Sequence, residues 1–227
     1  MSETKETAVG ALRLREYTKG LLHGTDALLL ADFVVGGSKK RAFDLCCGSG
    51  IVALLLLSGK KCANVTGVEI QEKYARLASE NAVINGLSGS FECICGDIRE
   101  HRSFLKAGCA DIVTVNPPYL PVGSGKGCLA PEKQIARCEV MCTIDDVCRC
   151  ASFLLRAGGG FFVVYRPDRL TDLLCAMRKH AVEPKRMVPV CPRAGASPSL
   201  VLVEGRRCAA PGLRLGPCLD LSSDPGA

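Results

Sequence analysis

Tryptophan is absent from this chain, and aromatic residues make up only 5% of its 227 positions. A core must therefore be built from Leu, Val, Ile, Ala and Cys, the small and branched side chains that suit a parallel α/β sheet buried on both faces. Long apolar runs are also missing. The longest, Ile51 to Leu57, falls far below the roughly 20 residues needed to span a bilayer, which excludes a helical membrane protein. The opening residues Met1-Ser2-Glu3-Thr4-Lys5-Glu6 lack a secretory hydrophobic region, and no Cys-x-x-Cys pair occurs among the 15 cysteines. These absences predict a soluble protein of a reducing, cytoplasmic compartment, in which most thiols serve as small buried hydrophobes. No internal repeat or low-complexity linker is visible, so one domain and a monomer are expected.

The chain is 48% hydrophobic and carries a formal charge of +6. Residues 1–148 hold 17 basic and 17 acidic side chains, and residues 149–227 hold 12 and 6, so the whole surplus lies in the C-terminal third. That asymmetry is compatible with contact to RNA phosphates and equally with an ordinary solvated face. Cys138, Cys142, Cys148 and Cys150 cluster at spacings that could ligate zinc or an iron–sulfur cluster, although no structural metal is expected.

From about residue 24 onward the hydrophobic runs alternate in type. Thr25 or Asp26 is placed to cap a helix through Leu28–Ala31, which Gly36-Gly37 ends. A strand closing on Asp44-Leu45 follows, then Gly48-Ser49-Gly50, a helix through Ala53–Leu57, a strand Val65–Ile70 and a helix from about Gln71 to Asn85. The alternation continues with a strand Phe91–Cys95, the acid Asp97, a helical stretch, and a strand Asp111–Val115 running into Asn116-Pro117-Pro118-Tyr119. Leu120–Thr143 is rich in Gly, Pro and Lys and has no period, which predicts a long loop. Helices Ile144–Leu155 and Arg169–Lys179 and strands Gly160–Tyr165, Pro184–Val190 and Ser199–Val203 complete the series. The predicted organisation is an N-terminal segment 1–23, a single doubly wound Rossmann-like α/β domain 24–205, and a Pro/Gly-rich tail 206–227 that frays. Its sheet is expected to be mostly parallel and seven-stranded, with an antiparallel strand near the C-terminus.

In a doubly wound sheet, ligands bind beyond the carboxyl ends of the strands, and those ends here carry Asp44, Glu69, Asp97 and Asn116. Cys46-Cys47-Gly48-Ser49-Gly50 forms the turn after the first strand, with glycines that let backbone approach a ligand. Glu69 is spaced to accept hydrogen bonds from two ribose hydroxyls, and Asp97 to hold an adenine amino group. Asn116-Pro117-Pro118-Tyr119 is the more specific motif. Two prolines fix the backbone and remove two donors, leaving the Asn116 amide oxygen and the Pro117 carbonyl as acceptors for an NH₂ group, with Tyr119 to stack on a planar substrate. Two such hydrogen bonds favour the nitrogen lone pair turning toward an electrophilic methyl, without a strong general base.

With these residues in view, the chain resembles the class I methyltransferases of the small methyltransferase domain group over nearly all of residues 20–205. Its segment His23-Gly24-Thr25-Asp26-Ala27-Leu28-Leu29-Leu30 is similar to that of bacterial enzymes that methylate the exocyclic N6 of an anticodon-loop adenosine in valine tRNA. The resemblance implies S-adenosyl-L-methionine as cofactor, held by Asp44, Cys46, Gly48, Gly50, Glu69, Ile70, Asp97, Ile98 and Asn116, with Gly24 and Thr25 closing over its methionine end. It implies tRNA as partner and Asn116, Pro117, Pro118 and Tyr119 as the grip on the target amine. Arg137 and Arg193 are basic positions placed to meet phosphates. Cys46-Cys47 departs from the glycine or other small residues that the group often carries in this motif, and Cys138 stands where related sequences often have a histidine.

The same four-residue motif would serve N5-methylation of a glutamine in a release factor. Such enzymes usually carry a helical docking domain ahead of the first glycine motif, whereas only 43 residues precede Asp44 here. A non-enzymatic nucleotide or metal sensor would use the cysteine cluster instead. An oxidoreductase is disfavoured because Gly48-x-Gly50 lacks a third glycine at the usual spacing.

Overall fold

The computed structural model describes residues 4–18, 24–117 and 142–223. Seven strands form its main sheet: β3 (Arg41–Leu45), β4 (Asn64–Glu69), β5 (Phe91–Cys95), β6 (Ala110–Val115), β7 (Leu155–Tyr165), β8 (Val182–Cys191) and β9 (Leu200–Arg207). They lie in the order β8-β9-β7-β6-β3-β4-β5. Strands β3 to β7 pair in parallel, and β9 runs antiparallel to both β7 and β8. The predicted mixed sheet with its antiparallel C-terminal strand is thus what the chain adopts. Strand order reverses at β3, whose neighbours β4 and β6 lead away on opposite sides, and a crevice opens at their carboxyl ends.

Alternation of side chains along each strand divides the core into two layers. Ala42, Val65, Ile112, Phe162, Val164 and Leu202 face α1 (Thr25–Phe33), α2 (Ile51–Ser58) and α3 (Glu72–Ile84). Phe43, Val68, Val113, Phe161, Val163 and Val203 face α4 (Ile144–Leu154), α5 (Leu170–Lys179) and the 3₁₀ turn Ile98–Ser103. Helix α2 is short and almost wholly buried, with only Leu55 and Ser58 less so, which explains its run of leucines. Among the described residues no helix is long and apolar enough to cross a membrane.

Four local expectations require correction. Helix α1 is capped by neither Thr25 nor Asp26: Gly24 is the N-cap residue, without a side-chain cap, and Thr25 is already helical. The Asp26 carboxylate accepts the Ala27 N–H at 2.9 Å, and a Cβ on residue 24 would lie 2.6 Å from Asp26 Oδ1, so the bare glycine leaves that carboxylate its place. The stretch after Asp97 is a 3₁₀ turn rather than an α-helix. The N-terminal segment contains a hairpin, β1 (Thr4–Val9) and β2 (Leu12–Tyr17), whose Leu12 and Leu14 are buried in the core. The tail does not simply fray, because β10 (Arg214–Leu215) and β11 (Leu219–Asp220) both pair with β8 and a disulfide joins Cys191 to Cys218. The unpaired backbone edge of β8 offers hydrogen bonds that such short strands can take up. They bring the main sheet to nine strands among the described residues.

One buried ion cluster locks the far side of the sheet to α1. Glu204 of β9, 6% exposed, accepts from Arg186 Nε at 2.9 Å and from Arg206 Nη2 at 2.6 Å. Arg186 also donates to the Phe33 carbonyl at 2.7 Å and stacks 3.9 Å over the Phe33 ring, fixing the end of the helix that begins at Gly24. Removing one member of a buried cluster leaves the others without counter-charge. Because both arginines are partly exposed, Glu204→Ala is expected to lower stability by about 2 kcal/mol rather than more. Urea unfolding checks this, and a change below roughly 0.5 kcal/mol, that of an ordinary surface substitution, would count against the cluster.

Candidate active site at the carboxyl edge of the sheet

The turn leaving β3 has three left-handed residues within five positions: Cys46 (φ +56°), Gly48 (φ +55°) and Gly50 (φ +84°). This region costs a residue with a Cβ on the order of 1–2 kcal/mol, so glycine is expected, and Cys46 is the exception. A Cβ on residue 50 would press on Ala78 at 3.1 Å, whereas one on residue 48 would meet nothing within 4 Å. Gly50 thus serves helix packing, and Gly48 leaves open space over the turn. The turn is tied to β4 by two hydrogen bonds, from Cys47 N–H to the Val68 carbonyl at 3.2 Å and from Gly48 N–H to Glu69 Oε2 at 3.0 Å.

Three acids hold distinct electrostatic positions. Glu69, 5% exposed, also accepts the Gln71 N–H at 2.9 Å; burial pushes its pKa up while the N–H donors of Gln71, Gly48 and Ile70 restrain it. Asp97 is fixed by its neighbour Arg99, which donates to it from the backbone N–H at 2.9 Å and from the guanidinium, and which holds its carboxyl below the usual range. Asp44 is 2% exposed, accepts the Thr114 hydroxyl at 2.7 Å on Oδ1, and has no hydrogen-bond partner on Oδ2 among the described residues. Burial raises its pKa to about 7 against the pull of Thr114.

Cys46, Val68, Glu69, Ile70, Gly96, Asp97, Ile98 and Cys142 line one pocket. The structure therefore brings together the predicted residues Cys46, Glu69, Ile70, Asp97 and Ile98. Asp44 lies behind the same turn, and Asn116, half-buried, follows β6 next to β3 with the buried Pro117 after it. Gly24 and Thr25 stand at the start of α1. Arg193 is exposed in the β8–β9 connection, at the carboxyl edge but three strands from β6. Pro118, Tyr119, Arg137, Cys138 and most of the predicted loop lie outside the described residues.

Sequence reasoning missed four participants. Thr114 carries the signal of a polar residue inside a buried strand, two positions before Asn116. Gly96 fits because a Cβ there would lie 2.8 Å from the Phe104 ring. Val68 is hidden within an ordinary strand pattern. Cys142 was weighed only as a metal ligand, yet its thiol faces Cys46 across the cavity wall and, with burial, pushes the Cys46 pKa up. Cys148 and Cys150 are buried on α4, and among the described residues no three His, Cys, Asp or Glu side chains converge on a point where a metal ion could sit.

The Asp44 environment generates a stability prediction. Its folded pKa of about 7 lies above the ordinary carboxylate value, so the native state retains a proton that the unfolded chain loses between about pH 4 and 7. Stability falls as pH rises through that window and stays low above it. Asp44→Asn removes the penalty, and the ligand-free variant is expected to be more stable than the parent at pH 8 by up to about 4 kcal/mol, with the difference shrinking toward pH 4. Unfolding curves at the two pH values check it, and a variant that loses stability at pH 8 would contradict the assignment.

Comparison with known proteins agrees with this geometry. Residues 18–168 match the family model "Methyltransferase small domain". The chain is 28% identical over 181 residues to a Bacteroides fragilis protein named tRNA1(Val) (adenine(37)-N6)-methyltransferase, covering 79% of this chain and 75% of that one. A Dickeya chrysanthemi protein of the same name is 29% identical over 186 residues, covering 81% and 72%. Among solved structures, a predicted O-methyltransferase from Agrobacterium tumefaciens aligns with a TM-score of 0.71 at 21% identity over 89% of both chains. P. horikoshii TYW2 in complex with MeSAdo aligns with a TM-score of 0.65 at 13% identity, over 92% of this chain and 73% of that one. A family match over this much of the chain, on a sheet whose switch point carries the expected acids and glycine turn, shows that the protein belongs to the small-domain methyltransferase family.

Proposed function

We propose that the protein is an S-adenosylmethionine-dependent N-methyltransferase that methylates the exocyclic N6 of an adenosine in tRNA. The observation that carries this reading is the meeting of Cys46, at the start of the glycine turn, with Glu69 and Asp97 around one pocket, with Asn116-Pro117 leaving the neighbouring strand. The residues present fit the cofactor. Val68, Ile70 and Ile98 offer apolar contact to a purine, Glu69 has lone pairs left for two ribose hydroxyls, and Asp97 can take an adenine amino group beside Arg99. The partnerless Asp44 Oδ2 suits a ligand carrying ammonium and sulfonium charge. Gly24 and Thr25 would close over the methionine end.

Bound S-adenosylmethionine supplies an electrophilic methyl on a sulfonium. The chain supplies orientation. Asn116 Oδ1 and the Pro117 carbonyl accept the two N–H bonds of the target amine, which draws electron density onto nitrogen and turns its lone pair toward the methyl. Tyr119, outside the described residues, would provide the aromatic face on which the base stacks. Arg193, and Arg137 outside the described residues, would meet phosphates of the RNA. The choice of adenine over a glutamine amide is supported by the names of the relatives and by the Gly24-Thr25-Asp26 segment. In this role the protein works in the cytoplasm, where tRNA is available.

The defining test incubates the protein with labelled S-adenosylmethionine and total tRNA and identifies the product nucleoside by mass spectrometry. N6-methyladenosine is expected, and label in protein alone would overturn the reading. Asn116→Ala should lower turnover by at least ~10² while cofactor affinity stays within a few-fold. Unchanged turnover would refute its role. Arg193→Ala should weaken tRNA binding and flatten its salt dependence by about one unit of slope, which filter binding at several ionic strengths measures.

A further inference from the structure

Helix α3 carries two asparagines one turn apart, and each behaves toward strand β2 as a neighbouring strand would. Asn81 Oδ1 accepts the Arg15 N–H at 2.7 Å and its Nδ2 donates to the Arg15 carbonyl at 3.1 Å. Asn85 repeats the pattern on Arg13, accepting its N–H at 2.9 Å and donating to its carbonyl at 2.7 Å. The spacing makes this possible: residues i and i+4 of a helix are offset by about 6 Å along its axis, close to the roughly 6.7 Å between residues i and i+2 of a strand. The outer edge of the hairpin, which would otherwise present unpaired backbone groups, is thus paired by two side-chain amides.

The two asparagines differ in one respect. Asn81 is fully buried and its Nδ2 makes a further hydrogen bond, to the Ser49 carbonyl at 3.0 Å. Ser49 lies between Gly48 and Gly50, inside the turn whose N–H groups contact Glu69 and the open space above it. Asn85 makes its remaining bond to the Asn81 carbonyl at 2.8 Å, within the helix, and does not reach the turn. Aromatic packing reinforces the same junction, with Tyr17 edge-on to the buried Tyr74 of α3 at 5.5 Å and its hydroxyl donating to the Lys73 carbonyl at 3.3 Å. Of these contacts, the Asn81 amide alone bonds to hairpin and turn together.

We infer that Asn81 is a positioning residue for the cofactor site, latching the N-terminal hairpin to the Cys46–Gly50 turn so that the turn holds its left-handed conformation. The hairpin is then part of the cofactor framework and not an appendage. This inference rests on the S-adenosylmethionine reading of the site.

The test compares Asn81→Asp with Asn85→Asp. Both replacements keep the shape and the acceptor and lose the donors, but only the first breaks a bond to the turn. Calorimetric titration with S-adenosylhomocysteine should show at least a tenfold weaker dissociation constant for Asn81→Asp and less than a twofold change for Asn85→Asp. The methylation assay should show the same split, with KM for cofactor raised in Asn81→Asp and kcat at saturating cofactor within about threefold of the parent. The unmodified protein provides a second readout that does not depend on the variant folding: adding S-adenosylhomocysteine should slow hydrogen exchange at the Arg15 amide, in the hairpin, together with that at Gly48. Equal affinity in Asn81→Asp and the parent, equal loss in both variants, or an unmoved Arg15 amide would each overturn the inference alone. A parent protein that takes up no S-adenosylhomocysteine would overturn the cofactor reading and this inference with it.

Discussion

The hydrogen bond from the Gly48 N–H to the Glu69 carboxylate joins the ends of β3 and β4, and the candidate site is arranged around it. It forms because the turn accepts left-handed backbone at Cys46, Gly48 and Gly50, which aims successive N–H groups toward the strand ends. Other groups hold that shape. Val68 accepts from Cys47, Ala78 packs under Gly50, and the Asn81 amide grips the Ser49 carbonyl. Each of these partners comes from a different element, so the turn conformation is a property of the assembled domain.

Electrostatics at the same place favour a cationic ligand. Asp44 sits in the sheet with a carboxyl oxygen that has no described partner, and burial holds its proton on to about pH 7. A positive group brought to it would favour the ionised form and relieve the desolvation penalty. The raised pKa of Glu69 has the same origin, whereas Asp97, bound by Arg99 near the surface, is ionised throughout the neutral range.

The basic surplus of the C-terminal third does not translate into a free basic face. Arg149 pairs with Asp146, Arg156 with Asp111 and Lys179 with Asp145, acids that belong to the charge-balanced first part of the chain. Arg186 and Arg206 are spent on the buried Glu204. Among the described residues, Arg193 is one exposed cation at the carboxyl edge.

Much of the fold was legible because strands such as β4 and β6 carry short β-branched runs and helices such as α2 and α4 leucine-rich or amphipathic ones, and those patterns follow from burial. The hairpin was overlooked although Leu12-Arg13-Leu14-Arg15 alternates with period two, since its partner strand Thr4–Val9 lacks an apolar face. The capping assignment failed because Thr25 and Asp26 have the right chemistry for a cap, while the extended backbone that precedes the helix falls at Gly24, and that boundary is not written in side-chain type. The tail pairing with β8 depends on where an edge strand happens to end.

By itself the sequence determined the strand–helix alternation, the acids at the strand ends and the place of Asn116-Pro117 after the fourth strand of the alternation, since these are local consequences of periodicity, side-chain chemistry and proline geometry. Only the tertiary structure decided that Glu69, Asp97 and Cys142 share a cavity, that Asp44 keeps a proton near neutral pH, and that Asn81 binds hairpin, helix and turn together. Burial depth and contacts between residues 32 or 66 positions apart, as in Asn81 to Ser49 and to Arg15, arise when elements pack, and no local pattern encodes them.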